Sequence, residues 1–143
     1  MGLVIDTSAV IDLQRSQTPA ADVLRRYGDE PLVIPTIVVA EVLAGARLAP
    51  GKRRQAEIQQ SVDAILAIAL AVDFDMRLVP TWADLFASLE RRGTRIPSND
   101  VIVAATAVHL EYGVLVGALD EVHFRRIRGL RVVPIVRMAE EPV

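Results

Sequence analysis

Three acidic residues in this chain stand where folding alone would not put them. Asp6 closes the apolar run Leu3-Val4-Ile5, Glu41 interrupts Ile37-Val38-Val39-Ala40-Glu41-Val42-Leu43-Ala44, and Asp100 opens Asp100-Val101-Ile102-Val103-Ala104-Ala105. An ionised carboxylate is rarely buried unless it is paired or binds a metal. Two carboxylates ~4 Å apart repel by ~1–4 kcal/mol at effective dielectrics of about 80 down to about 20. Three or four together raise one another's pKa until a cation neutralises them. Hard oxygen donors, with no Cys and only two His, favour Mg2+ or Mn2+ over zinc. A divalent ion held by carboxylates with open water positions can activate a hydroxide and stabilise a transferring phosphoryl group. That chemistry suits phosphodiester hydrolysis.

The elements that must position these acids alternate between strand and helix signals from end to end, the pattern of an α/β domain with a parallel sheet. Leu3–Ile5 is the first strand, and Thr7 or Ser8 caps the helix after it. A second helix covers Pro19–Tyr27, and Leu32–Pro35 is strand two. Thr36 caps a helix that carries Glu41 to Leu48, before the breaker Pro50-Gly51. Ile58, Val62, Ile65, Leu66 and Ala69 mark the next helix. Val72–Phe74 is a weak third strand. Thr81 with Asp84 resembles a capping box opening a helix that ends at Arg91-Arg92-Gly93. Pro97-Ser98 opens the Asp100 helix, which stops at Gly113. Val114–Val116 and Leu130–Val133 are the last two strands, with a short helix between them.

This order puts Asp6 after strand one, Glu41 on the helix after strand two, Asp100 in the first turn of its helix and Asp120 just past strand four. Ligands of open parallel sheets gather outside the carboxyl ends of the strands, where these acids can converge. Each acid also has an ordinary use. Asp6 can cap a helix, Asp100 can complement a positive helix end, and Glu41 can be partly exposed or pair with a core Arg.

These segments resemble the PIN-domain ribonucleases, most closely the VapC-type toxins of bacterial toxin–antitoxin pairs. The resemblance rests on Val4-Ile5-Asp6-Thr7-Ser8-Ala9, Ala40-Glu41-Val42-Leu43-Ala44-Gly45, Pro97-Ser98-Asn99-Asp100-Val101-Ile102-Val103-Ala104-Ala105-Thr106-Ala107 and Asp120-Glu121-Val122-His123-Phe124-Arg125-Arg126-Ile127. It implies a three-layer α/β/α sandwich around a parallel sheet of four to five strands. It also implies Mg2+- or Mn2+-dependent cleavage of RNA, a homodimer and a cognate antitoxin. Carried over by motif, Asp6, Glu41, Asp100 and Asp120 would be the catalytic, metal-holding acids. Asp6 and Asp100 would ligate directly, whereas Glu41 would ligate, act through a water or position the nucleophile. Thr7 or Ser8 and Asn99 would orient the carboxylates. The chain departs from the family after strand four, where a Thr or Ser is usual and Gly117-Ala118-Leu119 stands instead. The spacing to Phe124 lets Asp120 or Glu121 be the fourth acid, and Asp120 is nearer the strand end.

Other candidates have weaker claims. His109 reads as structural or surface, and His123 as packing or local hydrogen bonding. Asp73 and Asp75 read as capping or solvated, and Trp82 with Phe86 as helix packing at i, i+4. Arg125 and Arg126, with Arg128, can line a phosphate path. Arg53 and Arg54 beside Lys52, at a helix start where cations are unfavourable, are further RNA-contact candidates.

Bulk properties set limits. The 143 residues predict one domain over 1–143. Hydrophobic residues make up 52% of the chain and aromatics 4%, so an aliphatic core is available. Without Cys there are no disulfides, and no apolar run approaches the ~20 residues of a membrane span. Asp6 and Asp12 break up any signal-peptide core, and the expectation is a cytoplasmic protein. The net charge of −2 supplies no global basic field. A phosphatase of the haloacid-dehalogenase type would want an Asp where Ser8 stands and a second lysine. The remaining alternative is a catalytically weak PIN-like module for dimerisation and nucleic-acid or partner binding.

Overall fold

Two neighbouring interior strands of the sheet are apolar at every position and have no solvent-facing side. In the computed structural model, which describes residues 1–135, Leu3, Val4, Ile5, Val114, Leu115 and Val116 are fully buried. Such runs belong to parallel strands covered on both faces. Five strands, β1 (Leu3–Ile5), β2 (Leu32–Pro35), β3 (Leu70–Val72), β4 (Gly113–Val116) and β5 (Val132–Pro134), form one all-parallel sheet in the order β3-β2-β1-β4-β5. The helices among the described residues are α1 (Thr7–Arg15), α2 (Ala20–Leu24), α3 (Thr36–Leu48), α4 (Lys52–Leu66), α5 (Val79–Arg91), α6 (Ser98–Leu110) and α7 (Glu121–Arg125). Residues 136–143 lie outside the description, so the expectation of one domain over 1–143 extends beyond it.

The chain steps from β1 through β2 to β3 in one direction, then returns to the other side of β1 for β4 and β5. With right-handed crossovers, this reversal places α1 to α4 on one face and α5 to α7 on the other, a three-layer α/β/α sandwich as expected. β1 and β4 are neighbours in register, Ile5 opposite Leu115. Their carboxyl ends therefore meet at the reversal, where a doubly wound sheet opens its crevice.

Several local expectations are corrected. Asp6, not Thr7 or Ser8, is the N-cap of α1, because its extended backbone lets the carboxylate accept from the Ser8 amide. Thr36 is already helical, and Pro35 is the cap of α3. The helix expected over Pro19–Tyr27 is α2 followed by a 3-10 turn, Arg25–Tyr27. Ala69 lies beyond α4 rather than within it. The third strand is Leu70–Val72 rather than Val72–Phe74, since Asp75 turns away to accept from the amide and guanidinium of Arg77 at 2.9 and 2.8 Å. No capping box opens α5. The helix begins before Thr81, with the Trp82 amide already bonded to the Leu78 carbonyl at 2.9 Å and Pro80 in the first turn, where its missing N–H costs nothing. α6 ends through Glu111 in the left-handed conformation, φ 59°, and Gly113 starts β4 instead of stopping the helix. β5 is Val132–Pro134 rather than Leu130–Val133. Trp82 and Phe86 do stack, with ring centroids 5.0 Å apart.

Candidate active site

Asp6 leaves β1 at the crevice and is 1% exposed. Its Oδ2 accepts from both the amide and the hydroxyl of Ser8. The Ser8 hydroxyl accepts in turn from the Gly117 amide at 2.9 Å. One helical turn later, Asp12 accepts from the Ala118 amide at 3.0 Å. The first two donors after β4 are thus bound by α1, which fixes the segment that delivers Asp120. Gly117 must be glycine here, because a Cβ would collide with the Ser8 carbonyl and lie 2.8 Å from Asp12 Oδ2.

The other acids arrive from three helices. Glu41, half-buried on α3, accepts from the Thr7 hydroxyl at 3.1 Å. Asp100, in the first turn of α6, is 7% exposed. Its Oδ2 is hydrogen-bonded to His123 Nδ1 at 2.7 Å, and the same nitrogen is 3.4 Å from Asp120 Oδ1. Asp120, Asp100 and His123 each offer a ligand atom, all within 4.8 Å of one another.

The four acids share one field. Burial pushes Asp6 up to about 7 against the lowering effect of the Ser8 hydrogen bonds, and the charges of Asp100 and Asp120 add to it. Asp100 is pushed up to about 6, first by burial and then by Asp120 and Glu41, with His123 opposing. A carboxylate cluster strained in this way is relieved by a cation. The donor set of carboxylate oxygens with one imidazole fits a hard or borderline divalent ion.

The structure therefore brings together Asp6, Glu41, Asp100 and Asp120, with Thr7 and Ser8 holding two of them. Asn99 is half-buried and makes no hydrogen bond to an acid among the described residues, so the expected support from it is not seen. Asp120 rather than Glu121 joins the cluster. Glu121 points to Arg125 instead, 2.7 Å from Nη2. Arg53 and Arg54 face Glu57 on α4 at 3.3 and 3.4 Å. Arg126 donates to the Arg95 carbonyl at 3.1 Å. His109 is exposed on α6, outside the cluster, as expected.

Sequence reasoning missed two residues. His123, which reads as packing or local bonding in the sequence, contacts an acid 23 positions away. Its i, i+3 spacing from Asp120 is the available signal. Asp12 follows Ser8 by four residues on the buried face of α1, and that spacing marks a polar stripe where an apolar one is usual.

Comparison with known proteins gives a consistent result. A family model described as PIN domain matches residues 3–130. Ribonuclease VapC1 of Rickettsia felis is 28% identical over 135 residues, 94% of this chain and 97% of that protein. Among solved structures, VapBC2 from Rickettsia felis bound to a promoter DNA fragment superposes with a TM-score of 0.77 at 20% identity, covering 94% of this chain and 98% of that one. VapBC-5, a toxin–antitoxin family member from Mycobacterium tuberculosis, gives 0.69 at 22% identity, covering 94% and 98%.

Proposed function

We propose a ribonuclease function from one premise: the chain belongs to the PIN domain family. It is a metal-dependent endoribonuclease that acts as the toxin of a toxin–antitoxin pair. The convergence of Asp6, Glu41, Asp100 and Asp120 at the β1–β4 reversal carries this reading, because Asp6 and Asp100 are pushed up to about 7 and about 6 partly by the neighbouring acids. Such a site gains from a divalent cation what it loses to repulsion. The VapC relative, named a ribonuclease, and the VapBC complexes of like fold support RNA as the substrate and a cognate antitoxin as partner. A homodimer accords with the same family.

Asp6, Asp100 and Asp120 would hold Mg2+ or Mn2+, with His123 beside them. Bound there, the ion supplies positive charge to a phosphate and acidity to a water. The chain's own groups do the rest. Ser8 and His123 hold Asp6 and Asp100 in fixed orientation. Thr7 aims Glu41, whose half-buried carboxylate can orient a water or take its proton. The helices over β1 and β4 keep bulk water from the floor of the site. No observation favours the alternative of a catalytically weak binding module, since Asp120 joins the other acids despite the atypical Gly117-Ala118-Leu119 segment.

The deciding experiment is cleavage of a mixed RNA pool by the purified protein with Mg2+ or Mn2+, beside an EDTA control and the Asp100→Asn variant. Metal-dependent cutting that disappears in the variant is expected. Cutting that persists in the variant would move the active site elsewhere.

A further inference from the structure

The arginines next to the acid cluster are organised in a way the hydrolytic reading leaves unused. Residues 91–99 and 122–135 contain no Asp or Glu and carry seven arginines. Arg125 pairs with Glu121 and Arg131 with Glu30, which leaves Arg91, Arg92, Arg95, Arg126 and Arg128, all exposed. The two segments are tied to each other. Arg92 Nη2 donates to the Arg126 carbonyl at 3.2 Å, and Arg126 Nη1 donates to the Arg95 carbonyl at 3.1 Å. None of the five faces a carboxylate among the described residues, whereas Arg53, Arg54 and Arg125 each face a glutamate.

The same two segments deliver the site. Arg95 precedes Asp100 by five residues, and Arg126 follows by three the His123 that bonds to Asp100. Unneutralised cations gathered on one surface repel one another, and guanidinium groups match phosphate in shape and charge. A chain of net charge −2 with an acidic active site repels a polyanion unless a local cationic surface offsets that repulsion.

We propose that this arginine ridge, formed by the α5–α6 connection and the end of α7, is the docking track for the phosphate backbone of an RNA strand beside the bond being cut. The proposal rests on the ribonuclease reading and narrows the RNA surface. Arg126 belongs to the ridge, while Arg53, Arg54 and the paired Arg125 do not. Arg92 and Arg126 are pre-oriented by the carbonyls they bridge, so less ordering is needed when phosphates arrive.

The test is fluorescence anisotropy of a short fluorescein-labelled oligoribonucleotide of mixed sequence with the full chain in EDTA, across a salt series. The variant Arg91→Ala/Arg95→Ala/Arg128→Ala removes three side chains that make no hydrogen bond among the described residues, so both bridges survive. Affinity should fall about tenfold or more at low salt, and the slope of log K against log salt should shrink by about 0.7 for each phosphate that is no longer neutralised. Lysine at the three positions should keep most of the affinity, which separates charge from packing. Arg53→Ala/Arg54→Ala should bind like wild type. Unchanged affinity and slope in the triple alanine variant would overturn the proposal and leave the ridge to an acidic protein partner. An equal loss in the α4 control would also overturn it, by reducing the effect to bulk charge. Ridge-dependent binding without metal-dependent cutting would instead sink the ribonuclease reading and leave the ridge standing.

Discussion

The Gly117 amide donates to the Ser8 hydroxyl at 2.9 Å, joining the start of α1 to the segment after β4, and that hydroxyl donates to Asp6. One side chain therefore fixes both walls of the crevice. Ser8→Ala leaves a buried amide without its acceptor and removes a donor from Asp6. It should cost ~1–3 kcal/mol in urea unfolding. Gly117→Ala forces a methyl group against the Ser8 carbonyl and should cost a similar ~1–3 kcal/mol. A Gly117→Ala protein as stable as wild type would show that the loop shifts freely and that α1 does not hold it.

Stability of the metal-free protein should fall as pH rises. Asp6 and Asp100 have ordinary values of 3.8 and stand near 7 and 6 in the folded chain. Between about pH 4 and pH 7 the folded state holds more protons than the unfolded one, so stability declines with pH and levels off above the folded values. The total is on the order of a few kcal/mol. Thermal melts in EDTA near pH 5 and pH 8 measure it, and added Mn2+ should recover stability at the higher pH. A higher melting temperature at pH 8 than at pH 5 without metal would contradict the cluster's electrostatics.

Asp100→Asn should separate function from stability. The variant should lose cleavage by about a hundredfold or more, on the scale of removing a main electrostatic group from a catalytic site. It should also melt higher than wild type in EDTA at pH 8, because a buried repelling charge is gone. A variant less stable than wild type under those conditions would mean that the His123 contact outweighs the repulsion.

Asp120 and Glu121 are adjacent and should behave differently. Asp120→Asn should weaken Mn2+ binding in calorimetry and reduce cleavage. Glu121→Gln breaks only a partly exposed pair with Arg125, of the kind worth ~0.3–0.5 kcal/mol, and should stay near wild type in both assays. The reverse ranking would make Glu121 the fourth acid.

His123→Gln should raise the Mn2+ concentration needed for half-saturation by about tenfold, the usual scale for a group that orients a metal-holding carboxylate. Calorimetric titration reads this without relying on cleavage. Unchanged Mn2+ affinity would reduce His123 to a packing residue.

Much of the fold was legible because its signals are local. The unbroken apolar runs at Leu3–Ile5 and Val114–Val116 announce buried parallel strands, and the spacing of Ile58, Val62 and Ile65 announces α4. Capping was less legible. Thr36 and Thr81 carry side chains that suit a cap, but the backbone of Pro35 and Leu78 already begins those helices. No helix among the described residues is long and apolar enough to cross a bilayer.

The sequence by itself determined which acids sit at the ends of core elements, since an acid beside an apolar run is visible without coordinates. Asp6, Glu41 and Asp100 are found that way. Tertiary structure alone decided which neighbours these acids meet. Glu121 turns to Arg125, while Asp120, one residue earlier, joins Asp100 through a histidine 23 positions from it. Thr7 finds Glu41 across 34 residues, and Ser8 finds Gly117 across 109. Thr7 meets Glu41 because β1 pairs with β2, whereas Ser8 meets Gly117 because of the reversal in strand order. That reversal brings β4 back beside β1, so the loops that leave these two strands close on each other, and periodicity along the chain carries no trace of that distance.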